Sequence, residues 1–141
     1  MRAAAALAAI LLVAPALAHA GAPAGCRHTL TPIASSSALP GPVAAPLRPW
    51  MALHGEPWNR TDVIEPGSPT AGYEWAAHAG PSWIVAYKVG GIACCSTRFA
   101  LLVPRAGGYA QVVPAAGRPD WFGDASCAGI DAALGAYAGG R

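Results

Sequence analysis

The sequence predicts a small α+β domain: an antiparallel four-stranded meander, about residues 72–113, packed by a C-terminal helix, about residues 125–138, and stabilised by disulfides. Three observations predict it. Bulky apolar residues recur with period two between Tyr73 and Val113, a helical apolar stripe follows near the C-terminus, and four cysteines stand in a chain that opens on an export signal.

Residues 1–20 read as a signal peptide. Arg2 supplies the positive n-region, Leu7 to Ala14 the apolar h-region, and Ala18-His19-Ala20 the small-x-small cleavage pattern. The apolar run is short and alanine-rich beside the about 20 apolar residues that a membrane span needs. The expectation is cleavage after Ala20 and delivery to the periplasm or the medium, with no integral membrane segment in the mature chain. No cysteine stands at the start of the mature chain, so no lipid anchor is indicated.

Residues 21–49 then read as a Pro/Ala/Ser-rich N-terminal arm and residues 50–141 as one small α+β domain. Cys26 to Leu30 reads as a short extended piece. Ala34 to Pro42 mixes small, polar and ring residues that predict neither a helix nor a central strand. Trp50-Met51-Ala52-Leu53 fits either a helical turn or a strand, and Thr61-Asp62-Val63-Ile64 reads as a short edge strand ending at the Pro66-Gly67 turn.

In the meander, Tyr73, Trp75 and Ala77 alternate with Glu74, Ala76 and His78, and Trp83, Val85, Tyr87 and Val89 alternate with Ile84, Ala86 and Lys88. Ala79-Gly80-Pro81-Ser82 joins these runs with turn chemistry. After Gly90-Gly91, Phe99, Leu101 and Val103 alternate with Arg98, Ala100 and Leu102, and Arg105-Ala106-Gly107-Gly108 turns into Tyr109 to Val113. Connections this short favour antiparallel neighbours. Beyond Pro114 and Pro119, Asp124 or Ser126 caps a helix whose stripe is Cys127, Ile130, Leu134 and Tyr137 and whose stop is Gly139-Gly140. Gly129 and Gly135 each cost about 1 kcal/mol relative to Ala, so packing and a bridge at Cys127 must hold this helix. The sequence places it, together with the Pro-rich segment, over one face of the sheet.

Cys26, Cys94, Cys95 and Cys127 read as two structural disulfides, the usual reinforcement of a small exported domain poor in aliphatic residues. Three pairings are open. The favoured one sends Cys94 and Cys95 in opposite directions, one to Cys26 and one to Cys127, because neighbours in an extended segment face opposite sides. Pairing Cys94 with Cys95 leaves Cys26 to join Cys127. The adjacent pair has a second reading, as a thiol redox switch or soft-metal site, but no C-x-x-C or zinc-type array accompanies it. No metal or cofactor is expected.

The formal net charge of +2 falls to +1 once Arg2 is removed, and the basic residues are scattered, which argues against a nucleic-acid partner. H-E-x-x-H, G-x-S-x-G, S-x-x-K and the P-loop are all missing, and no catalytic residue is assigned. Glu74 and His78 read as solvated sheet-face residues about 13 Å apart. Asp120, Asp124 and Asp131 lack the alternation of a calcium loop. Asn59-Arg60-Thr61 matches a glycosylation sequon. Trp50, Trp58 and Trp121 stand in loop-like surroundings, as binding platforms or as lids on an aliphatic-poor core.

These observations point to a non-catalytic binding module for a protein or envelope component, centred on Trp50, Trp58 and Trp121. The alternative is a small hydrolase using His28 or His54 with a nearby carboxylate. A histidine within about 3.2 Å of a carboxylate or serine hydroxyl, inside a concave pocket, separates the two.

Overall fold

The computed structural model describes residues 21–91, 97–112 and 124–139. Period-two patterning becomes one sheet of six strands: β1 (Thr31–Pro32), β2 (Met51–Ala52), β3 (Ala71–Ala79), β4 (Ser82–Val89), β5 (Thr97–Arg105) and β6 (Gly108–Gln111). The helices are α1 (Gly41–Ala44) and α2 (Cys127–Gly139). β3 to β6 form the expected antiparallel meander. β1, antiparallel, and β2, parallel, both pair with the outer edge of β3. Trp50 to Leu53 thus supplies a strand, whereas Thr61 to Ile64 lies in a loop rather than an edge strand.

One irregularity breaks the simple alternation. The register of β3 on β4 shifts between Tyr73 and Trp75, a bulge centred on Glu74. Tyr73 and Ala76 therefore join one face, and Trp75 and Ala77 the other. Period two alone places Tyr73 with Trp75.

Both faces of β4 and β5 are apolar, so both need a cover. One face carries Ile84, Ala86, Phe99, Leu101 and Val103 and is closed by Ile130 and Leu134 of α2. The opposite face carries Val85, Tyr87, Ala100 and Leu102 and is closed by Leu39, Val43, Ala44, Leu47 and Met51. The helix and the Pro-rich segment lie on opposite faces, not on one. Fully burying a side chain such as Leu47 or Ile130, both 0% exposed, is worth about 1.5 to 3 kcal/mol.

The 21–49 segment thus differs from the arm expected of its composition. Ser36–Ala38 makes a 3-10 turn and α1 follows. Pro40 precedes α1 and Pro42 lies in its first turn, where a missing N–H leaves no helical bond unmade. Ala45, Leu47 and Arg48 continue the turn by donating to Gly41 and Ala44 carbonyls, which brings Val43, Ala44 and Leu47 onto the sheet.

Helix α2 is capped as expected. The Ser126 hydroxyl accepts the Gly129 N–H at 3.3 Å and donates to the Asp124 carboxylate. Cys127 bonds directly to Cys26, with Cα atoms 4.8 Å apart. This corrects the favoured pairing through Cys94 and Cys95: the N-terminal segment runs beside α2, so its sulfur meets the helix without an intermediary on the sheet. Cys94 and Cys95 lie outside the described residues, as do residues 1–20 and Trp121.

Gly90 marks the tightest approach of chain to sheet, since a Cβ there would lie 1.7 Å from the Asn59 carbonyl oxygen. Gly135 of α2, by contrast, borders open space, and a Cβ added there would meet nothing within 4 Å. Gly90→Ala is expected to destabilise by about 2 to 3 kcal/mol and Gly135→Ala to stabilise by up to about 1 kcal/mol, both read from urea midpoints at unchanged slope.

Candidate functional site

Among the described clefts, the most apolar lies at the end of the sheet under Trp50. It holds about 330 Å³ and is lined by Trp50, Thr70, Ala71, Tyr87, Val89, Arg98 and Gln111. The β4 alternation puts Tyr87 and Val89 on one face, and Ala71, paired opposite Val89, is too short to fill the space between them. Trp50 closes the other side. Its indole N–H donates to the Pro46 carbonyl at 3.2 Å, and its ring meets Tyr87 edge-on, centroids 5.0 Å apart at 80°. Thr70, Arg98 and Gln111 make the polar part of the wall.

Trp58 is used differently. Its indole lies against Gly72 so closely that a Cβ there would stand 2.3 Å from the ring, and the Arg60 guanidinium sits 5.6 Å from the ring centroid. The ring therefore seals the start of β3. Of the three tryptophans predicted as platforms, Trp50 lines an open cleft, Trp58 is engaged within the chain, and Trp121 falls outside the described residues.

The histidines divide the two requirements for hydrolysis between them. His28 Nδ1 donates to Asp131 Oδ1 at 2.7 Å, but neither residue lines any of the described clefts. His54 lines a cleft of about 180 Å³ with Ser35, Tyr73 and Glu74; among the described residues its ring joins no carboxylate, and its backbone N–H donates to the Ser36 hydroxyl at 2.7 Å. Burial pushes the Tyr73 phenol up, so it stays protonated at neutral pH.

Glu74 and His78 depart from the solvated pair expected of them. The bulge turns Glu74 toward Lys88, at 2.9 Å, and toward the Thr97 hydroxyl, which donates at 2.6 Å. His78 packs on Trp83 across the strand pair, centroids 5.4 Å apart. Each is half-buried and occupied.

Asp131 is a clamp. It accepts the backbone N–H of Arg27 at 2.8 Å and of His28 at 2.9 Å, besides the imidazole. The Arg27 N–H, then the His28 ring and N–H, hold its carboxyl down to about 2. A carboxylate held that low is a poor proton acceptor, and its place one helical turn after Cys127 makes it a second tie on the N-terminal segment.

Asn59, read from sequence as a glycosylation acceptor, is 6% exposed. Its Nδ2 donates to the Glu65 and Ser68 carbonyls, and its Oδ1 accepts the Glu65 N–H. The amide that a glycan would need is already spent on the loop.

The cleft wall itself was missed by sequence reasoning, which read Tyr87 and Val89 only as strand residues and placed Ala71 outside the meander. No protein-family model, curated protein or solved structure compared with this chain matches it, and the site is interpreted from its own geometry.

Because the Asp131 carboxyl is depressed, its contribution is present above the ordinary carboxylate value of about 3.9 and is lost as pH falls through its folded value. The amide resonances of Arg27 and His28 are expected to titrate with a midpoint of about 2. Asp131→Asn is expected to abolish that titration and to raise hydrogen exchange at both amides.

Proposed function

We propose that this chain is an exported, non-catalytic binding domain whose cleft between Trp50 and Tyr87 receives one apolar or aromatic group of a protein or envelope component. The cleft carries the reading: an apolar floor of Ala71, Tyr87 and Val89, with Thr70, Gln111 and Arg98 placed to orient what enters. Export is supported by the composition of residues 1–20 and by the Cys26–Cys127 bond, which suits an oxidising compartment. The division of geometry and cleft between His28 and His54 supports binding over hydrolysis.

A thiol reading is favoured by one observation. With Cys26 and Cys127 joined, Cys94 and Cys95 have no other cysteine of the chain but each other. An adjacent pair is a candidate for reversible oxidation or soft-metal binding. Alkylation of the native protein before reduction, followed by peptide mapping, decides it. Label confined to Cys94 and Cys95 supports a dithiol, and complete absence of label dismisses it.

The binding reading is tested with benzyl alcohol as an apolar probe. Amide resonances of Ala71, Val89 and Gln111 are expected to move while Leu134 and Tyr137, on the opposite face, stay fixed. Trp50→Ala and the cleft-filling Ala71→Val are each expected to reduce the response at least about tenfold, or about 1.4 kcal/mol. A response that survives both substitutions, or none at any probe concentration, overturns the proposal.

A further inference from the structure

The loop between β2 and β3 is a built object. Asn59 N–H donates to the Pro69 carbonyl at 2.8 Å and closes the loop's neck, and the buried Asn59 side chain makes three further hydrogen bonds to its backbone. Val63 N–H donates to the Thr61 hydroxyl at 3.3 Å. The neck is wedged against Gly90, whose missing side chain leaves room for the Asn59 carbonyl. All of this order supports a tip that faces solvent. Val63 and Ile64 are 71% and 68% exposed, and they are the exposed large hydrophobic residues among those described. A buried polar anchor holding two adjacent β-branched residues in water is the form of a contact surface rather than of a linker.

The tip's flanks narrow the partner. Asp62 and Glu65 bracket Val63 and Ile64, so the knob is apolar between two carboxylates. An anionic bilayer repels such a tip. A protein pocket with an apolar floor and a polar wall suits it, and the cleft under Trp50 has that character, with Thr70, Arg98 and Gln111 in its wall. The exposure of Val63 and Ile64 shows that the tip is not seated in its own cleft.

We propose that the occupant of the Trp50 cleft is the Asp62–Glu65 tip of a second copy of this chain. The inference rests on the binding reading of that cleft and names its partner. Tip and cleft are different surfaces, so the contact is heterologous: each molecule offers one of each, and successive copies add head to tail unless the rotation closes a ring. The apolar patch is small, which places the association in the weak, transient class.

Sedimentation of the oxidised full protein tests it. The weight-average mass is expected to rise roughly 1.5-fold or more over the monomer as concentration approaches about 1 mM. The exposed double substitution Val63→Asp with Ile64→Asp removes the tip, and Ala71→Val fills the cleft; each variant alone is expected to stay monomeric. Mixed in equal amounts, the variants retain one intact tip and one intact cleft, and are expected to form dimers that grow no further. A wild-type protein that stays monomeric, association that survives loss of the tip, or a mixture that fails to pair overturns the proposal. So does tip-dependent cosedimentation with phosphatidylglycerol vesicles, which would assign the knob to membrane. If benzyl alcohol still moves the Ala71 and Val89 amides of a strictly monomeric protein, the cleft reading stands and only its partner is wrong. If neither response occurs, both fall.

Discussion

The bond between Cys26 and Cys127 is the constraint on which one half of this molecule depends. It joins residues 101 apart in sequence, and in the chain-entropy account a loop of that length removes about 4 to 5 kcal/mol of freedom from the unfolded chain. What it holds is weak alone. Helix α2 contains Gly129 and Gly135 and buries Ile130 and Leu134 against the sheet, while the segment at Cys26 has no strand or helix of its own before β1. Asp131 adds a second tie one turn along, gathering the Arg27 and His28 amides and the His28 ring. Sulfur and carboxylate together fasten the N-terminal segment to the helix, and the helix to its face.

The other half has no disulfide among the described residues. Leu39, Val43, Ala44, Leu47 and Met51 close the opposite face by apolar contact, and β2 adds backbone pairing to β3. The cleft under Trp50 lies on the face that Leu39, Val43, Ala44, Leu47 and Met51 close, and the His28–Asp131 pair lies at the tie between the N-terminal segment and α2.

Much of the sheet was legible because period-two alternation is a local signal. Phe99, Leu101 and Val103 separate from Ala100 and Leu102 with no interruption, and the Ser126 cap and the Ile130 and Leu134 stripe are equally local. The bulge at Glu74 was not legible, since a one-residue register shift leaves no mark in composition. Nor was the packing role of Val43 and Leu47, because Pro40 and Pro42 read as breakers until they are seen at a helix start. The disulfide partner of Cys26 depended on which face the N-terminal segment follows, a tertiary fact. Trp50 was singled out as a platform candidate and lines the cleft, but its partners Tyr87 and Ala71 come from distant strands, and sequence spacing says nothing of such a meeting. Asn59 shows the same limit: three residues read as a sequon, while the fold made the amide an anchor.

The two faces of the sheet are held by different means. Amide hydrogen exchange on the oxidised and the selectively reduced protein tests this most directly. Reducing Cys26–Cys127 is expected to strip protection from α2 and from the Arg27 and His28 amides, while β4 and the turn from Val43 to Leu47 keep theirs. Retention of α2 protection after reduction, or loss of protection on both faces together, would contradict it.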